Sequence, residues 1–328
     1  MPDDAPADID ALGDLCTPWC IHTAVTLRIA EHIAGGVTGI DGIARAVGCD
    51  AEALNRMLSW LVAKGVFEEP SPGCFSLNEA ARALMEPARR IGMDLGGIGG
   101  RMAYAWGTMP TYVRTGAPGY AEMFGLPFWE DLDAHPALAA SFDDLIGQIG
   151  HGTPSVAFQP QGGWEGVHTV VDVGGGTGVF LAELLRVHPA LTGTLVDLPR
   201  TVARAEAAFG SAGVAARVST IGQSFFDPLP GGADLYLLKN VINDWPDAEA
   251  VAILTRCAEA ARPRGRVIIL AGIDAYEASR PLSPEMVLAG GKHRTLTELQ
   301  TIAGRAGLEV LAAAQQPPRY FVVECRPI

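Results

Sequence analysis

Gly174, Gly176 and Gly178 stand at alternate positions directly after an apolar run containing Val170, Val171 and Val173. β-Branched residues suit a central parallel strand, and three missing side chains in the turn that follows let a ligand approach the backbone. Residues 179–185 have helical spacing, so the turn empties into a helix N-terminus. A second apolar pair, Leu195 and Val196, ends in Asp197. That is about twenty residues past the glycines, where a nucleotide-binding α/β fold places an acid on ribose hydroxyls. The pattern predicts a nucleoside-cofactor site. Its spacing is G-x-G-x-G, with Val179 where a dinucleotide fingerprint has its third glycine, and Asp172 lies just ahead of the loop. A pyrophosphate favours a helix N-terminus without nearby negative charge. S-adenosyl-L-methionine has no phosphate and carries a cationic sulfonium and amino group, so Asp172 is compatible with it.

The elements that must hold this loop alternate from residue 167 onward. Strands are expected at 170–173, 194–196, 216–221, 235–239 and 266–270, and helices at 180–187, 202–208, 248–261 and 296–306. That alternation specifies a doubly wound, Rossmann-like parallel sheet. Residues 308–313 and 320–324 read as a terminal hairpin. Ahead of it, residues 10–34 are expected to form one amphipathic helix, with Pro18 as a break or start. Helices at 40–46 and 52–64 and a hairpin over 66–77 complete a winged-helix pattern. The second of these helices offers one arginine and much apolar surface, which suits protein pairing better than phosphate. The region therefore reads as a dimerisation module, and the chain as a homodimer. Residues 80–155 read as helical and rich in aromatics, a roof for a flat organic substrate. The expected domains are 1–95 (dimerisation), 96–158 (roof) and 159–328 (cofactor binding), with residues 159–166 as the best linker.

Composition narrows the partners. With 328 residues and 48% hydrophobic content, the chain can fill two domain-sized cores. A net charge of −13 with no basic cluster argues against nucleic acid. No apolar run approaches the roughly eighteen residues of a membrane span, and the acidic, proline-bearing N-terminus is unlike a signal peptide; a cytoplasmic location is expected. The six cysteines form no C-x-x-C pair, and no metal site is expected.

Taken together, 15–19 (Leu-Cys-Thr-Pro-Trp), 24–33, 120–129 (Tyr-Ala-Glu-Met-Phe-Gly-Leu-Pro-Phe-Trp), the loop 171–178, 225–230 and 243–247 (Asn-Asp-Trp-Pro-Asp) carry a resemblance over nearly the whole chain. The sequence resembles the S-adenosylmethionine-dependent O-methyltransferases of secondary metabolism. It is most similar to the bacterial polyketide-tailoring branch of the carminomycin 4-O-methyltransferase and aclacinomycin 10-hydroxylase type. The resemblance implies a class I methyltransferase fold behind an N-terminal helical winged-helix dimerisation domain, acting on an aromatic small molecule. It also implies cofactor contacts at Asp172, Gly174, Gly176, Asp197, Leu198 and Lys239, with Phe225 and Trp245 flanking the adenine. Ser224 stands where most members have an aspartate on the adenine amino group, and a serine hydroxyl still accepts there, without charge assistance. Tyr104, Met123, Phe128, Trp129, Phe142, Ile146 and Arg294 are expected to line the substrate.

The departures concern the proton. Asn243 occupies the position of the family's base histidine, and Ala271 that of the glutamate orienting it. An amide cannot serve as that base. Methyl transfer from a sulfonium is an in-line displacement for which near-attack alignment can contribute roughly 7–11 kcal/mol, whereas general-base help is typically about 10²–10⁴-fold. Proximity therefore suffices for an acidic phenol, with Asn243 positioning the substrate and His151, His293 or Tyr104 as substitute bases. Two other readings stand beside this one. The first is a hydroxylase or cyclase that binds S-adenosylmethionine without transferring methyl, and the second is a ligand-sensing transcription regulator built on the winged helix.

Overall fold

The computed structural model describes residues 8–148, 156–271, 273–274, 282–316 and 320–328. They form two compact units that divide after Tyr104. Within the described residues no helix is long and apolar enough to cross a membrane.

In the N-terminal unit the single helix expected over 10–34 is instead three: Ile9–Leu12, Cys16–Thr26 and Ile29–Ala34. Two local causes break it. The Asp14 carboxylate accepts hydrogen bonds from the backbone N–H of Cys16 and Thr17 (2.9 and 3.0 Å) and from the Thr17 hydroxyl (2.6 Å). These bonds cap a new helix start just ahead of Pro18. Arg28 then adopts a left-handed conformation (φ 55°) that ends the second helix. The winged-helix pattern follows as expected. Helices Ile40–Val47 and Ala51–Ala63, the latter capped by Asp50 on the Ala53 N–H, precede an antiparallel hairpin of Glu68–Ser71 and Cys74–Ser76. Ile29, Ile43, Leu58, Leu61, Phe67 and Phe75 fill its core. Ile9, Leu12 and Leu15 stay exposed, an apolar edge that a single chain leaves uncovered.

The second unit begins with helical segments Met109–Thr115, Tyr120–Phe124, Phe128–Ala134 and Pro136–Gln148. Its sheet has seven strands: β1 (Thr169–Val173), β2 (Thr192–Asp197), β3 (Val218–Gly222), β4 (Leu235–Lys239), β5 (Arg266–Ala271), β6 (Leu308–Gln316) and β7 (Tyr320–Pro327). Their order is β3-β2-β1-β4-β5-β7-β6. The first five are parallel, β7 lies antiparallel beside β5, and β6 pairs antiparallel with β7. Apolar side chains line both faces. Val171, Val173, Tyr236, Leu238 and Ile269 pack under helix Asp247–Ala261, while Val170, Leu195, Leu237 and Ile268 pack under helix Val179–Val187. Two-sided burial explains the continuous apolar runs of these strands.

Residues 159–166, expected as a linker, lie inside this unit and are lashed to the sheet. Gln159 N–H donates to Gln316 (2.8 Å), Gln161 N–H donates to the buried Glu324 (2.6 Å), and Phe158 is buried beside them. Chain order reverses between β1 and β4, the switch point where a crevice opens at the carboxyl ends of parallel strands.

Candidate functional site at the carboxyl edge of the sheet

Three adjacent strands deliver the predicted residues to one edge. β1 runs into the glycine loop, β2 ends in Asp197, and β4 ends in Lys239. Gly174, Gly176 and Gly178 all have positive φ (69°, 61° and 76°). The demands on them differ. A Cβ on Gly174 would lie 2.9 Å from Val241 and one on Gly178 2.5 Å from Phe209, whereas one on Gly176 would meet nothing within 4 Å. The first and last glycines are thus closed by packing, and the middle one faces free space.

Asp197 organises that turn. Its two oxygens accept from the N–H of Gly176 (2.8 Å) and of Leu198 (2.7 Å). Burial raises its carboxyl above the ordinary range, and these two N–H groups counter the rise. Asp172 lies wholly buried beneath the loop, and neither of its oxygens has a hydrogen-bond partner among the described residues. Burial pushes it up to about 7, against the pull of the Lys239 ammonium and with a further push from Asp197. Lys239, itself buried, sits 5.2 Å from the Phe180 ring centroid and is held below its ordinary range by burial, which Asp172 partly offsets. The edge therefore pairs an unsatisfied buried carboxylate with accessible loop backbone. That combination fits a neutral-to-cationic nucleoside.

Beyond β3 and β4 lie the aromatic groups. Phe225 and Trp245 meet edge to face at 5.8 Å, and Trp129 stacks on Trp245 at 5.4 Å with an interplanar angle of 18°. The Ser224 hydroxyl accepts from the Phe226 N–H at 3.2 Å, which turns that short loop. Phe142 closes on Trp129 and Phe128 at 5.7 and 5.6 Å. Phe128, expected to line the substrate, is instead 3% exposed and packs edge to face on the buried Tyr120 ring. It is a core residue supporting Trp129. Met123 is well exposed and Ile146 half-buried. Tyr104 falls in the N-terminal unit, its ring 5.0 Å from Trp19.

Asn243 sits in the 3-10 turn Ile242–Asp244 that follows β4. Its Nδ2 donates to Asp244 Oδ1 (3.1 Å), and its Oδ1 is buried with no partner among the described residues. Burial, reinforced by Glu285, drives the Asp244 carboxyl well above the ordinary range. A second loop is stapled onto this turn. A Cβ on Gly291 would lie 2.2 Å from the Asn243 carbonyl oxygen, so only glycine allows the approach. Arg294 is 3% exposed and donates to the carbonyls of Ile242 (2.6 Å) and Trp245 (2.7 Å) and to Asp247. Lys292 reaches the same Asp247 carboxylate at 3.1 Å. Burial pulls Asp247 upward, but these two cations outweigh it and leave the carboxyl below its usual range.

Arg294 was expected at the substrate, yet with its donors committed to this turn it acts as a brace. His293 is half-buried and lies in the chain between Gly291 and Arg294, the two residues that tie this loop to the Asn243 turn. His151 lies outside the described residues. Glu285 was not singled out in the sequence, and Asp244 entered only as part of the 243–247 motif with no role of its own, since an acid in a short helix and one beside a tryptophan carry no spacing signal. The Gly290-Gly291 doublet was the available clue.

Comparison with known proteins gives a consistent result. A family model for an O-methyltransferase domain matches residues 106–309, and one for an O-methyltransferase dimerisation domain matches 9–87. The chain is 39% identical over 311 residues to the 2,7-dihydroxy-5-methyl-1-naphthoate 7-O-methyltransferase of Streptomyces carzinostaticus, covering 92% of each chain. It is 36% identical to the aclacinomycin 10-hydroxylase of Streptomyces purpurascens, covering 90% of this chain and 82% of the relative. The crystal structure of an O-methyltransferase from neocarzinostatin biosynthesis, in complex with S-adenosylmethionine and 2-hydroxy-5-methyl naphthoic acid, superposes with a TM-score of 0.90. It is 37% identical, with 99% of this chain and all of that one covered.

Proposed function

The chain belongs to the O-methyltransferase family, and from that premise we propose that it methylates a phenolic hydroxyl of an aromatic, polyketide-type molecule, chiefly by alignment, with His293 receiving the proton. As a member it is an S-adenosylmethionine-dependent O-methyltransferase, and it carries the family's dimerisation domain, which pairs two chains. The winged-helix pattern is that domain, which removes the ground for a transcription regulator. A non-methylating hydroxylase has one such relative behind it. The family model and the naphthoate methyltransferase support methyl transfer instead.

The edge residues fit the cofactor. Asp197 has lone pairs left for ribose hydroxyls, Gly176 leaves its backbone approachable, and Asp172 and Lys239 set the charge under the loop. Phe225 and Trp245 supply flat apolar faces for an adenine, and Ser224 an acceptor near its amino group. When bound, the cofactor supplies a methyl group on a sulfonium, open to in-line attack. The chain's own groups then orient the acceptor. The aromatic wall of Trp129 and Phe142 suits a planar ring system, with Ile146 and Met123 at its margin. The carboxamide of Asn243, turned by Asp244, directs an acceptor oxygen that can take a hydroxyl hydrogen bond but not a proton.

The observation that carries His293 is its fixed backbone. Gly291 on one side and Arg294 on the other tie its loop to the Asn243 turn. An imidazole held there can accept the phenolic proton that an amide cannot.

Methyl-labelled S-adenosylmethionine and a panel of phenols of graded acidity test the reading. Label is expected in the product with one S-adenosylhomocysteine per turnover. His293→Gln is expected to slow weakly acidic phenols by about 10²-fold or more while sparing phenols already ionised at neutral pH. Equal losses across the panel would remove the proton role, and conversion without label would remove methyl transfer.

A further inference from the structure

Helix Pro136–Gln148 makes two contacts from adjacent residues that face opposite ends of the cofactor edge. Phe142 packs against Trp129, which stacks on Trp245 at the aromatic end. Asp143, next in sequence, turns to the β2 end and accepts from Arg204 Nη1 at 2.9 Å, while Arg204 Nη2 meets Asp144 at 2.5 Å. The preceding helix adds an ion pair between Asp133 and Arg200. Both arginines lie within seven residues of Asp197 in sequence.

These pairs are unequal. The Asp143 side chain is 13% exposed against 53% for Asp144, so the first pair is shielded and the second is a solvated flank. Asp143 also lies close enough to feel the charge of Asp197. Burial raises its carboxyl, Arg204 opposes the rise, and Asp197 adds to it. Two carboxylates from different layers thus share one corner, with the Arg204 guanidinium compensating the charge. A roof helix carrying Asp143 without that cation would be pushed away from the Asp197 corner.

We propose that Asp143 and Arg204 are positioning residues that clasp helix Pro136–Gln148 over the ribose end of the cofactor site and so set how long the cofactor stays. This rests on the reading that Asp197 holds the ribose. Arg204 acts through Asp143, and neither needs to touch the cofactor. Because Phe142 and Asp143 are consecutive on one rigid helix, releasing the clasp also loosens the aromatic wall at the other end.

The test measures S-adenosylhomocysteine binding to the full-length dimer by calorimetry, and its dissociation rate by stopped-flow tryptophan fluorescence. Arg204→Met is expected to raise Kd about tenfold, mostly through faster dissociation. The second variant, Asp143→Asn combined with Arg204→Met, still lacks the clasp but removes the uncompensated charge, and is expected to recover only in part, to about threefold weaker than wild type. Wild-type-like binding by Arg204→Met overturns the clasp. So does a double variant as weak as the single one, since the loss would then come from damaged packing. No binding by the wild-type protein would overturn the cofactor reading itself, and the clasp with it.

Discussion

Replacing Asp172 with asparagine isolates one buried charge. The carboxyl is fully buried without a hydrogen-bond partner among the described residues, and burial pushes it up to about 7 despite the nearby Lys239 ammonium. In the unfolded chain it titrates near the ordinary value of about 3.9. Below that value both states hold the proton and the group costs nothing. As pH rises the unfolded chain releases its proton first, so stability falls through the interval, and the loss is complete above about 7. An interval of about three pH units corresponds to about 4 kcal/mol. Asp172→Asn removes this titration. The stability of wild type relative to the variant should therefore drop by about 1.4 kcal/mol per pH unit, or about 2 kcal/mol from pH 5.5 to 7. Below about 7 the folded wild-type carboxyl is largely protonated, so Lys239 faces a neutral group in both proteins across most of this window and the slope belongs to Asp172. Urea unfolding of the cofactor-free protein, followed by tryptophan fluorescence at several pH values in this window, reads the difference directly. A pH-independent gap between the two proteins would refute the assignment of a strained carboxylate.

Two further outcomes follow from packing. Gly291→Ala forces a methyl to 2.2 Å from the Asn243 carbonyl oxygen and 2.6 Å from the Asp244 carbonyl carbon. It should cost about 2–4 kcal/mol in denaturant unfolding and abolish methyl transfer; a variant within 0.5 kcal/mol of wild type would mean that the turn relaxes freely. Leu15→Asp places a charge on the uncovered apolar edge of the N-terminal unit, where Leu15 is 77% exposed. Sedimentation at micromolar concentration should show a shift from dimer to monomer with little change in far-ultraviolet circular dichroism, and an unchanged dimer would move the interface elsewhere.

The sheet was legible because its signals are local. Runs such as Val170–Val173 and Leu235–Lys239 announce two-sided burial, and the glycine loop to Asp197 spacing is fixed by one strand–helix–strand unit. The helix over 10–34 failed because apolar periodicity continues through Asp14 and Arg28, while a carboxylate cap and a left-handed residue decide the chain path. Phe128 and Arg294 show a different limit. Residue type and segment suggested a substrate contact, but only packing shows that one ring supports its neighbour and that one guanidinium is committed to backbone carbonyls. The Asp143–Arg204 pair joins residues sixty-one apart in sequence, and no periodicity reports such a meeting.

The brace formed by Arg294 has a consequence for how such a scaffold changes its chemistry. The turn carrying Asn243 takes its shape from a guanidinium fifty-one residues away in sequence and from a glycine pressed against its backbone. The side chain at position 243 contributes one hydrogen bond, to its own neighbour. The turn is a socket whose walls belong to other residues. Its occupant can be exchanged, histidine for amide or amide for an apolar group, without renegotiating the fold around it. By the resemblance, regaining a proton acceptor there takes both a histidine at 243 and an orienting carboxylate where Ala271 stands, so the two positions are expected to change together.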